Sequence, residues 1–86
     1  MGNLEEIANA LSKIQANASK CAVALERECA YMKNTQNKVL SGFGNQQTGR
    51  ALVSSLFTAM ERTYDAYCEM YSLSLDTEKM IAKLKR

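Results

Sequence analysis

The side chains in this chain whose types lend themselves to chemistry are three cysteines, Cys21, Cys29 and Cys68, and a closely spaced group of tyrosines, Tyr64, Tyr67 and Tyr71; histidine is absent. Without histidine the commonest general base and the commonest metal ligand are both missing, and no thiol or hydroxyl has an activating neighbour in sequence. Catalysis is therefore not expected. The cysteines lack the close Cys or Cys/His spacing of zinc sites, so neither a metal nor another cofactor is expected. Cys21 and Cys29 stand eight residues apart in the sequence, which on one helix is about 12 Å of axial rise and beyond disulfide reach. The three thiols read as small apolar side chains in a reducing compartment, with a Cys21–Cys68 bridge as the alternative that a folded-back chain permits. What remains for the tyrosines is recognition, because a ring with a polar tip contributes area and a hydrogen bond at an interface.

The elements that must position those rings are helices. The 86 residues contain no Pro and no Trp, and Ala, Leu, Met, Lys, Glu and Gln dominate, the vocabulary of uninterrupted helix. A chain of this length is one domain at most, and so small a domain buries a modest share of its surface. With 11 Lys+Arg against 9 Asp+Glu the net charge is +2, far from the concentrated positive field that nucleic-acid binding needs. No charged-then-apolar leader opens the chain and the apolar runs are short, so neither a signal peptide nor a membrane span is expected. Synthesis in the cytoplasm follows, with export open only by a route needing no cleaved signal. Asn17-Ala18-Ser19 fits a glycosylation acceptor, but its place in mid-helix argues against use.

Asn3 is positioned to cap the first helix, with Glu6 reaching back. Leu4, Ile7, Leu11, Ile14, Ala18, Cys21, Leu25, Met32 and Val39 then follow in alternating threes and fours, interrupted by the polar Glu28 and Thr35. That periodicity predicts one long seam. It stops near Leu40, where Gly42 and Gly44 offer positive φ and a C-terminal cap. Asn45-Gln46-Gln47 has no apolar period, and Thr48 is placed to cap a second helix. The reading is a single helical-hairpin domain over 1–86, with a helix at about 3–40, a bend at about 41–48 and a helix at about 49–84. Two such helices bury their seams most simply by folding back antiparallel. Folding about residue 44 sets Cys21 level with Cys68, Leu25 with Tyr64 and Leu11 with Ile81.

The second helix carries two apolar lines. Leu52, Leu56, Ala59, Thr63, Ala66, Met70, Leu73, Thr77, Met80 and Leu84 form the one that faces the first helix. Phe57, Met60, Tyr64, Tyr67 and Tyr71, continuing from Val53, form a second stripe, for which a two-helix hairpin has no cover. This predicts a partner interface, and an all-α four-helix bundle completed by homo- or hetero-dimerisation. Charges are mixed along both arms, with an acidic row at Glu61, Asp65 and Glu69 and a basic end at Lys79, Lys83, Lys85 and Arg86 that complements the helix dipole.

A near-central bend between two long amphipathic arms in a short, leaderless chain resembles the small WxG-type helical-hairpin proteins of type VII secretion systems. Where that family has Trp-x-Gly, this chain has Ser41-Gly42-Phe43-Gly44, followed by Thr48-Gly49-Arg50-Ala51-Leu52. The resemblance implies that Gly42, Phe43 and Gly44 make the bend, with the Phe43 ring wedging the arms apart. It also implies an export signal of the pattern Tyr-x-x-x-Asp/Glu. Tyr71 and Asp76 are the candidate pair, one residue wider than the pattern, and Phe57 with Glu61 is a variant at the right spacing. The function so implied is that of a secretion substrate or effector-targeting adaptor that binds a helical partner, either an effector's N-terminal region or a sister hairpin. The alternative is a self-assembling coiled-coil subunit of a needle or phage-type particle; a nucleic-acid-binding bundle ranks behind both.

Overall fold

The computed structural model describes residues 2–85. They form two helices, α1 over Gly2–Phe43 and α2 over Gln47–Leu84, joined by Gly44, Asn45 and Gln46. At about 1.5 Å of rise per residue α1 is about 63 Å long, which accounts for the 65 Å long axis of the molecule. The helices lie side by side and antiparallel. Gln36 Nε2 donates to the Val53 carbonyl at 3.4 Å, and Cys29 Sγ lies 3.9 Å from the Met60 carbonyl oxygen, one heptad back on α1 and one heptad on along α2. Cys21 with Cys68 and Leu25 with Tyr64, as expected from folding about residue 44, follow the same register, and Leu11 falls about a turn from the level of Ile81.

Chain reversal is tighter than the sequence suggests. Gly44 N–H donates to Leu40 O at 3.1 Å, Gln46 N–H to Phe43 O at 3.0 Å, and Arg50 N–H to Gln46 O at 3.0 Å. Gly42 and Phe43 belong to the last turn of α1, and among the described residues no glycine has positive φ. The expected positive-φ cap is thus absent. What the bend needs from glycine is space: a Cβ on Gly44 would run into the Leu40 carbonyl oxygen, whereas one on Gly42 would meet nothing. Gly49, in the first turn of α2, is buried against the last turn of α1, where a Cβ would strike the Phe43 carbonyl and lie 2.8 Å from Phe43 Cβ. Neither expected cap forms. Asn3 is already inside α1, and Gln46 holds the N-cap position of α2 in an extended conformation (φ −96°, ψ 146°) without a side-chain cap hydrogen bond, leaving Thr48 inside the helix. Of the basic end, Arg86 lies outside the described residues; Lys83 sits in the last turn of α2.

The seam between the helices is rotated from the expected one. On α1 the covered residues are Leu11, Ala18, Leu25, Met32 and Val39, alternating with Ala8, Gln15, Ala22, Cys29 and Gln36; Ile7, Ile14 and Cys21 are exposed. On α2 the covered line is Gly49, Val53, Leu56, Ala59, Met60, Thr63, Ala66, Tyr67, Met70, Ser74, Thr77, Ile81 and Leu84, most of it drawn from the two apolar lines of the sequence. Small residues explain the rotation. Ala18 and Ala22, each 4% exposed, and Gly49 let the helix axes approach closely, and bulkier neighbours are displaced to the flanks. Hydroxyls on the seam are satisfied within their own helix: Thr77 Oγ1 donates to Leu73 O at 2.9 Å and Thr63 Oγ1 to Ala59 O at 2.8 Å.

Candidate functional site

Because the seam takes the middle of the apolar surface, it leaves two apolar flanks, one on each side of the hairpin. The aromatic flank carries Phe57, Tyr64 and Tyr71 at heptad spacing on α2, each more than half exposed (55%, 57% and 52%). Met60 and Tyr67, expected with them on the uncovered stripe, instead lie on the seam and are half-buried. They still connect the row. The Tyr67 ring centroid is 5.9 Å from that of Tyr64 and 6.0 Å from that of Tyr71, with planes inclined by 35° and 29°, separations at which rings attract one another. Phe57, Met60 and Tyr64 line an open groove with Glu61 and Asp65 at its edge. On the same side α1 contributes Ser19, Val23 and Glu26, which share a groove with Tyr67 and Tyr71.

Cys68 sits one turn beyond Tyr64. Its sulfur, first as a hydrogen-bond partner of the phenol and then as a charge, raises the Tyr64 pKa above the ordinary 10.0. The Cys21–Cys68 bridge is not formed: both thiols are free and exposed, as is the partly covered Cys29 free. Cys21 opens onto the opposite flank, in a groove with Ile14, Met70 and Leu73. Level pairing alone does not bring two side chains to the same side of a hairpin.

The second, aliphatic flank is built from residues whose spacing in the sequence is that of seam positions. Ile7, Ile14, Leu52, Leu73 and Met80 are between 39% and 49% exposed. Phe43 does not wedge the arms. Its ring is 56% exposed at the tip of the hairpin, beside Val39, Gly49 and Leu52, and the close contact is made by its backbone and Cβ against Gly49. Tyr71 and Asp76 both lie on the continuous α2; a separation of five residues in sequence turns them about 140° apart around the axis, so they do not share a face. Phe57 and Glu61 do, on the groove with Tyr64.

Among the described residues no group of three or more His, Cys, Asp or Glu side chains is placed to hold a metal, and no helix is long and apolar enough to cross a membrane. The chain matches no protein-family model, and neither a curated protein nor a solved structure matches it.

Proposed function

We propose that the chain is a non-enzymatic interaction module whose aromatic flank packs against a helical partner to complete a four-helix bundle. The observation that carries this reading is the contrast between its covered and uncovered residues. The core is Ala18, Ala22, Ile81 and Thr77, no large side chain among the described residues is fully buried, and Phe57, Tyr64 and Tyr71 stand in a row in solvent. Rows of exposed rings at heptad spacing are how helix-in-groove recognition is built. The surface area points the same way. The chain exposes 6660 Å², whereas a compact monomer of its mass exposes about 5,100 Å². The excess is almost twice the roughly 800 Å² that one partner contributes to a standard interface.

The cellular role we infer is that of a secretion substrate or effector-targeting adaptor of the type VII kind. It is supported by two long arms about a near-central bend and by an aromatic beside glycine at that bend. The test is co-purification from the native host. The double variant Tyr64→Glu/Tyr71→Glu, which spares the half-buried Tyr67, should lose the partner while the circular dichroism of the chain stays helical; retention of the partner would move the site elsewhere. A self-assembling structural subunit is the second reading, favoured by the aliphatic flank, since adhesive surfaces on opposite sides of one rod can propagate. Polymers growing with concentration in the purified chain would support it.

A further inference from the structure

We infer that the occupant of the aromatic flank is a second copy of this chain, related by a two-fold axis along the rod so that both bends lie at the same end and α1 of each copy lies against α2 of the other. This rests on the reading of the flank given above and names its partner. Three observations carry it.

The first is shape. On the aromatic side α1 presents small side chains, Ala16, Ser19 and Val23, and α2 presents the large rings of Tyr64 and Tyr71. Rings set against rings leave no room for close packing; rings set against the small row interdigitate. The register sets α1 residues near 16–23 level with the stretch of α2 that contains Tyr64 and Tyr71, and an axial two-fold preserves that level between copies. Tyr71 of one chain then falls on Ala16 and Ser19 of the other, and Tyr64 on Val23. Glu26, on the same groove, supplies a carboxylate to accept from a phenol hydroxyl.

The second is charge. Lys20 and Arg27 edge the small-residue groove on α1, with the carboxylate of Glu26 between them and the rings, and Glu61 and Asp65 edge the ring-lined groove on α2; all five are exposed, and the α1 edge keeps a net positive charge against the acidic edge of α2. In the axial two-fold, Arg27 of each copy comes level with Glu61 and Asp65 of the other, and Lys20 lies within about a turn of Asp65, twice per dimer. The other face-to-face arrangement, with bends at opposite ends, sets α1 against α1 and α2 against α2. It would oppose the Lys20/Arg27 rows to each other and the Glu61/Asp65 rows to each other.

The third is area: the surface in excess of a compact monomer is more than one partner contributes to a standard interface.

Sedimentation equilibrium of the full chain, with circular dichroism on each sample, tests this. The wild-type chain should be a dimer at micromolar concentration. Lys20→Glu/Arg27→Glu should weaken it about tenfold or more, since two sets of charge contacts change sign, and adding Glu61→Lys/Asp65→Lys should restore it. Dimerisation unaffected by reversal of the α1 row, or not restored by the fourfold swap, would overturn the two-fold pairing. If Tyr64→Glu/Tyr71→Glu nonetheless abolishes that dimer, the flank itself stands. A wild-type chain that is monomeric and only weakly helical overturns the second copy and leaves the flank to a different helix. A well-folded wild-type monomer overturns both.

Discussion

The two flanks of the hairpin are both exposed and differently made. The aromatic flank joins a row of rings on α2 to a row of small residues on α1, edged by the acidic Glu61 and Asp65 on α2 and by Lys20, Arg27 and the acidic Glu26 on α1. The aliphatic flank brings Ile14 and Cys21 of α1 together with Leu73 of α2 in an open groove lined by no charged residue. Apolar area alone does not separate them, since Ile7 at 49% and Tyr64 at 57% are exposed to similar degrees. The difference lies in what each surface specifies. Large against small, with opposite charges at the edges, fixes a register and an orientation; an aliphatic groove lined without charges supplies adhesion without direction.

The largest expected effect comes from breaking the hinge that holds both flanks in place. Gly49→Leu puts a side chain where the Phe43 carbonyl and Cβ already stand, and should cost about 2–4 kcal/mol or more by forcing the helix ends apart. Chemical denaturation should report the loss, while Gly42→Ala, which meets open space on a helix, should stabilise by up to about 1 kcal/mol. Next, prising the seam open with Ala22→Leu should cost about 1–3 kcal/mol through overpacking, seen as a lower Tm.

The comparison is sharpened most by paired charges on the two flanks. Tyr64→Glu/Tyr71→Glu should eliminate association in size-exclusion chromatography, whereas Ile14→Glu/Leu73→Glu should leave the stoichiometry unchanged and reduce only higher aggregates. Equal loss from both pairs would mean that the flanks act as one surface. The smallest expected effect is on thiol reactivity. Cys68, one turn from Tyr64, should become several-fold slower than Cys21 toward a maleimide as concentration rises, and an unchanged rate ratio would place Cys68 outside the covered surface.

Much of this architecture is legible in the residues. The absence of proline, the heptad spacing and the lapse between Leu40 and Thr48 suffice for two helices, one bend and the levels at which they pair. The facing of the helices is not so readily read. Ile7, Ile14 and Cys21 are more apolar than Ala8, Gln15 and Gln36, so a count of apolar residues selects the wrong one of two adjacent lines on α1. The helices instead meet where Ala18, Ala22 and Gly49 permit close approach, a preference for small size that hydropathy does not record. The same rotation takes Met60 and Tyr67 from the exposed stripe into the seam and turns Leu73 and Met80 outward. At the bend, the glycines suggested a need for positive φ, whereas the turn uses ordinary backbone angles and needs glycine where Leu40 and Phe43 crowd the chain.

The hairpin is a rod with a radius of gyration of 19.0 Å, where a compact chain of this length has about 12 Å, it leaves Phe57, Tyr64 and Tyr71 more than half exposed, and the proposed partner is what would cover them. Thermal unfolding of the unmodified chain, followed by circular dichroism over a hundredfold range of concentration, addresses that point most directly. Folding coupled to association predicts a Tm that climbs by about 5–10 °C across the range. A single cooperative transition at one temperature throughout would show that the hairpin folds alone and that its aromatic flank needs no cover.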